Sequence, residues 1–207
     1  MRRTRHAQII CSGQSVSFSK RALNHPVHDS HSTLDLACRD QRHRSALPSY
    51  AVQYLTVSAA QKLCFPECDQ FVPAHVKFTP AQIKAIEAKS GQKQLLRGQE
   101  IWRAMQNGKL HGFFIVDYVI GKHLVIDYAV ALSPEGTVKQ IEILNYRESY
   151  GGEIRNPDWR KQFVGKGPRS RFALNEGINN ISGATLSCRH VTEGVHRILA
   201  TYEVCLK

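Results

Sequence analysis

The 207-residue sequence predicts an α+β domain: an antiparallel β-meander packed against helices, closed by a C-terminal amphipathic helix that follows an S-G-A-T loop. Three observations carry this. Apolar runs between residues 101 and 144 are separated by tight-turn residues, Asn107-Gly108, Gly121-Lys122 and Ser133-Pro134-Glu135-Gly136. Two short segments before them carry helix-capping signals, and the last twenty residues place apolar side chains at helical spacing.

Residues 1–51 are read as a basic, poorly ordered N-terminal segment or an atypical leader, and residues 52–207 as the domain. The first fifty residues hold no sustained period and carry eight basic against three acidic side chains. Ser49-Tyr50-Ala51 has the small-x-small form of a cleavage site, but the charged stretch 39–45 before it supplies no apolar h-region. Order is expected from about Tyr54.

Ser58-Ala59-Ala60-Gln61 has the form of a capping box and introduces a short helix ended by Pro66. Thr79-Pro80-Ala81-Gln82 repeats the device, with proline at the first helical position and a stop near Gly91. Four strands follow, at 101–106, 113–120, 124–132 and 138–144. In the third, Leu124, Ile126, Tyr128, Val130 and Leu132 alternate with Val125, Asp127, Ala129 and Ala131, the pattern of a half-buried strand. Consecutive strands joined by tight turns make an antiparallel meander. Residues 150–181 read as a glycine-punctuated loop region. A helix from about Leu186 carries Val191, Val195, Ile198, Leu199 and Tyr202 as a stripe that packs on the sheet.

With 28 Lys+Arg against 17 Asp+Glu the formal net charge is +11, which favours anionic partners or phosphorylated cofactors. The basic residues are not interleaved with stacking aromatics, so no nucleic acid is expected. No run approaches the roughly 18–20 apolar residues of a membrane helix. Cys64 and Cys68 form a C-x3-C pair without a second pair or His-x3-His at finger spacing; free thiols are favoured over a local disulfide, and no metal site is expected. No Walker loop, Ser-His-Asp order or H-E-x-x-H helix is present, so no catalytic residue is assigned. His123, without a second ligand at useful spacing, reads as a hydrogen-bonded turn histidine, and Glu148 and Glu153 as structural carboxylates.

The segment 179–185, Asn-Asn-Ile-Ser-Gly-Ala-Thr, lies just before the last helix. Gly183 and Ala184 let backbone N–H groups approach a phosphate, the helix start adds partial positive charge, and Ser182, Thr185 and Ser187 supply hydroxyls. Taken alone, the segment also reads as an ordinary N-cap.

Ile181-Ser182-Gly183-Ala184-Thr185 resembles the flavinylation motif of the FMN-binding domain family, which includes the covalent-flavin subunits C of the Na+-translocating NADH:quinone reductase and G of the Rnf complex. Gly121-Lys122-His123, the stretch 146–153 and Gln162-Phe163-Val164-Gly165-Lys166 follow the family's order, so the likeness spans about residues 52–207. The resemblance implies FMN as cofactor, esterified through its phosphate to Thr185 by a flavin transferase using FAD. It implies that Ser182, Gly183, Ala184, Leu186 and Ser187 line the phosphate end, with Tyr150 and Gly151 also in the site. Lys166, Arg169, Arg171 and Arg189 either balance the phosphate or are surface charges; Trp159 and Phe163 either touch the ring or belong to the core. Asn179 stands where the family's motif usually has Asp.

The function so implied is electron transfer between redox partner proteins, soluble or membrane-bound, by a stand-alone member acting in the periplasm or cell envelope. The alternatives are a flavin-dependent reductase with its own small-molecule acceptor and a flavin-free basic binding module.

Overall fold

The computed structural model describes residues 52–207; the expected N-terminal segment or leader, with Cys11 and Cys38, lies outside them. Two short pieces open the described chain: strand β1 (Val52–Gln53) and helix α1 (Val57–Cys64). The cap of α1 is Thr56, whose hydroxyl accepts from the Ala59 N–H at 3.2 Å, two residues before the serine the sequence suggested. Thr56 wins because its extended backbone presents the side chain to the open first turn, whereas Ser58 is already helical.

Strands β2 (Gln70–Pro73) and β3 (Val76–Lys77) precede helix α2 (Pro80–Ser90). The α2 capping box is complete: Thr79 Oγ1 accepts from the Gln82 N–H, and Gln82 Oε1 accepts from the Thr79 N–H at 2.9 Å. Gly91 ends the helix in the left-handed conformation.

The meander is β4 (Gly98–Gln106), β5 (Lys109–Ile120), β6 (Val125–Leu132) and β7 (Val138–Tyr146). Asn107 and Gly108 both have positive φ, as a two-residue hairpin turn requires. The sheet is larger than the four predicted strands. Its order is β1-β7-β6-β5-β4-β2, with β3 also paired to β4, and every pairing is antiparallel. The added strands are two to four residues long, too short to leave a period in the sequence.

The stretch expected as loop, 150–181, instead carries a 3-10 turn (Gly152–Arg155), helix α3 (Pro157–Lys161) and a small pair of strands, β8 (Ala173–Leu174) and β9 (Gly177–Ile178). Asn156 caps α3 through its side chain and Pro157 occupies the first helical position, a start signal inside a segment too short for periodicity. Trp159 and Phe163 are buried in the main core, edge-to-face at 5.2 Å between ring centroids, which decides for the core.

Helix α4 (Thr185–Cys205) lies on one face of the sheet. Its residues Val191, Val195, Ile198, Leu199 and Tyr202 pack with Ile101, Phe113, Ile115, Tyr128, Val130 and Leu132. The opposite face meets α1: Ala60, Cys64 and Phe65 cover Phe114, Ala129, Ala131 and Leu144. Strand β6 is therefore buried on both faces over most of its length, not half-buried; its second face is written in alanines, which the alternation rule scores as weakly apolar. Cys64 and Cys68 are both free and buried. Burial, reinforced by the nearby Glu142 carboxylate, pushes the Cys64 thiol up to about 12.

Candidate functional site

Helix α4 begins without a side-chain cap. Its N-cap is Ala184, so the N–H groups of the first turn have no side-chain acceptor there. The chain reaches this point through a tight bend: the Ala184 N–H donates to the Ile181 carbonyl at 3.0 Å, and Gly183 adopts φ +84°. A Cβ placed on Gly183 would meet nothing within 4 Å, so the bend presents an open face of backbone.

That face forms one wall of a cavity of about 380 Å³, whose α4 side is Gly183, Ala184, Thr185, Leu186 and Ser187. The other wall comes from two loops, Lys122 and His123 between β5 and β6, and Glu148, Ser149 and Tyr150 after β7. Thr185 is half-buried, and its Oγ1 accepts from Asn180 Nδ2 at 3.0 Å. The Tyr150 side chain stands in solvent at the mouth, 86% exposed.

The loops are held from both sides. Glu148 Oε1 accepts from the N–H groups of His123, at 2.5 Å, and Leu124, at 2.7 Å. Burial would raise the Glu148 carboxyl, but the N–H groups of Leu124, His123 and Lys122 outweigh it and hold the group below its ordinary value. From α4, His190 Nδ1 reaches the Ile120 carbonyl at 2.5 Å and the Gly121 carbonyl at 3.1 Å. The base of the cavity is tied across sheet and helix: the Tyr146 hydroxyl lies 2.9 Å from Ser187 Oγ and donates to the Tyr150 carbonyl at 2.5 Å. Burial pushes the Tyr146 phenol up, opposed by its hydrogen bond to Ser187.

Six of the eight predicted binding residues, Thr185, Gly183, Ala184, Leu186, Ser187 and Tyr150, line this one cavity. Ser182 does not line it and is exposed. Gly151 does not line it either, and has a packing task instead. At φ +90°, a Cβ there would come within 2.5 Å of the Tyr146 hydroxyl and 3.1 Å of Ser187 Oγ.

The suggested counter-charges are elsewhere. Arg169, Arg171 and Arg189 line a separate cavity of about 620 Å³, and Lys166 lies over the Phe172 ring at 5.8 Å. Arg189 stands one helical turn beyond Thr185, far enough along α4 to line that second cavity, so the surface-charge alternative holds for these residues. The lysine at the cavity is Lys122, with the His123 ring beside it. Lys122, Glu148 and Ser149 had no binding role in the sequence reading, although each falls within a stretch that carries the family likeness.

The donor set fits a phosphorylated cofactor: an uncapped helix start, an open glycine bend, hydroxyls at Thr185 and Ser187, and a lysine opposite. The volume lies within the roughly 300–1,000 Å³ of ordinary small-molecule sites.

A match to a protein family agrees with that chemistry. Residues 121–200 match the FMN-binding domain family, a span that contains both loops of the cavity and the start of α4. No curated protein matches the chain. Among solved structures, the chain is similar to the crystal structure of NqrC from Shewanella oneidensis at 16% identity, over 69% of this chain and 84% of that one, with a TM-score of 0.49.

Proposed function

We propose that the chain is a flavoprotein, on the match of residues 121–200 to the FMN-binding domain family, and that FMN occupies the cavity between the Lys122 and Glu148 loops and the start of α4, joined by its phosphate to Thr185. One observation carries the reading. The Thr185 hydroxyl stands at an uncapped helix start that opens onto a cavity of cofactor size.

The first-turn N–H groups and the Lys122 ammonium stabilise phosphate oxygens. Asn180 orients the Thr185 hydroxyl through its amide donor. In attachment the Thr185 oxygen bonds to the FMN phosphorus of FAD, the bond to the AMP oxygen breaks, and the hydroxyl proton leaves with the AMP. A flavin transferase performs that step. The bound flavin supplies one- and two-electron chemistry; the protein supplies attachment, orientation and local charge. Tyr150, at the open mouth, would stand beside the flavin where redox partner proteins can approach.

The function is electron transfer between such partners, soluble or membrane-bound, in the periplasm or cell envelope. Among the described residues no helix is long and apolar enough to cross a membrane.

The test is co-expression of the full chain with a flavin transferase, followed by in-gel fluorescence after denaturation. A fluorescent band is expected, lost in Thr185→Val and strengthened in Asn179→Asp. A colourless product, or a band that survives Thr185→Val, overturns the tether. Cell fractionation checks the compartment.

A further inference from the structure

At the end of the sheet away from the Thr185 bend, the loop after α1 meets the β4–β5 hairpin. We infer that Glu67, Cys68 and His111 form a binding site for one divalent transition ion of the zinc class. A carboxylate oxygen, a thiol sulfur and an imidazole nitrogen from these residues all lie within 4.8 Å of one another. His111 Nδ1 is already 3.8 Å from Glu67 Oε1. Around a tetrahedral zinc-class ion, bonds of about 2.0–2.3 Å set ligand atoms roughly 3.3–3.6 Å apart, so the three atoms close by about 1.5 Å at most.

The backbone explains how a distant histidine reaches the loop. In the β4–β5 ladder Ala104 pairs with Gly112 and Met105 with Leu110, which leaves His111 as the extra residue of a bulge. A bulge re-aims a side chain out of the regular alternation, and bulges concentrate beside functional sites. Next to it the Phe65 ring presses against Gly112, where a Cβ would come within 2.9 Å, so the loop after α1 is seated directly on the bulge.

The chemistry suits a borderline-soft ion. Nitrogen, sulfur and oxygen donors together select zinc-class metals over magnesium or calcium, which take all-oxygen sets. Cys68 is buried at 3% exposure, while the side chains of Glu67 and His111 are about one-third exposed, so the thiol forms the floor and the other two open to solvent. Binding releases the Cys68 thiol proton to water as the metal–sulfur bond forms. Carboxylate, thiolate and neutral imidazole then leave no net charge on the ion. Water takes the fourth position. Lys139, 3.1 Å from Glu67 Oε1, moves to the carboxylate's other oxygen and orients it from the outer shell. The ion clips the loop after α1 to the hairpin.

Cobalt(II) titration of the purified full-length chain under a non-thiol reductant tests this, because a Co–thiolate bond gives an intense charge-transfer band. One equivalent of Co2+ should develop the band, and Zn2+ should displace it. Cys68→Ser should abolish the band; Glu67→Gln and His111→Asn should each weaken binding by about tenfold or more. Amide exchange in the loop after α1 should slow when Zn2+ is added. No band at stoichiometric Co2+, or a band that persists in Cys68→Ser, overturns the site. Should Cys68→Ser fail to fold, unchanged affinity in both His111→Asn and Glu67→Gln overturns it.

Discussion

The Arg197 guanidinium on α4 donates to Asp117 Oδ2 on β5 at 2.7 Å, inside the interface between helix and sheet, where the two side chains are 10% and 1% exposed. The Tyr128 hydroxyl donates to the same oxygen at 3.0 Å, and Arg197 also reaches the Tyr118 carbonyl. A buried pair is costly to break, because removing one partner strands the other charge. Arg197→Met is therefore expected to cost about 3–5 kcal/mol in urea unfolding, and replacing both members, as Asp117→Leu with Arg197→Met, to recover much of that loss.

Tyr128 makes the same interface sensitive to alkali. Burial first, and the Asp117 charge second, push its phenol well above the ordinary value of 10.0. Above that pH the unfolded chain releases the proton while the folded chain keeps it. The stabilising contribution is thus complete below about pH 10 and is lost as pH rises towards the folded value. Urea midpoints measured across this alkaline range should fall with pH, and the fall should be shallower in Tyr128→Phe.

Gly194 gives a sharper reading of how closely α4 is seated. A Cβ at that position would lie 2.1 Å from the Tyr128 hydroxyl oxygen and 3.0 Å from Val119 Cγ1. Gly194→Ala, elsewhere in a helix a gain of nearly 1 kcal/mol, should here destabilise by about 1–3 kcal/mol. In a Tyr128→Phe background the added loss should shrink, because the nearest clashing atom is gone. A double-mutant cycle measures the difference.

Glu148→Gln probes the cavity wall apart from its floor. The amide oxygen is a weaker acceptor for the His123 and Leu124 N–H groups, so the loop loosens. Flavin loading by the transferase should drop, and the thermal midpoint at neutral pH should fall slightly. Because its folded carboxyl is held below the ordinary 4.5, the Glu148 contribution is present above that pH and is lost as pH falls through the folded value. The acid limb of the stability profile should flatten in the variant.

Local signals in the sequence were strong where one residue's chemistry decides the backbone. Thr79, Pro80 and Gln82 announced α2, Asn107-Gly108 announced the hairpin, and the apolar stripe announced α4. What stayed hidden depends on residues far apart. The capping role went to Thr56 because tertiary entry geometry, not composition, selects among neighbouring hydroxyls. β1, β2 and β3 owe their place to pairing with longer strands. At the candidate site, the α4 side was legible because a motif and a helix start coincide within seven residues. Lys122 and Glu148 were not, since only the closing of two loops against α4 brings them there. For Arg189 the sequence left two roles open, and its place four residues after Thr185, lining a different cavity, settles against phosphate contact.

The clamps on α4 bear on how a redox group would perform at its first turn. The helix is pinned near its start by Tyr146 against Ser187, in its middle by Asp117 against Arg197, and near its end by Lys89 against Glu203. A mount fastened at three points along twenty-one residues cannot pivot by itself. Dipoles fixed in place need little rearrangement when charge arrives or departs. Stiffness of this kind lowers the reorganisation that slows electron hops, and two of its three sources lie away from the cavity.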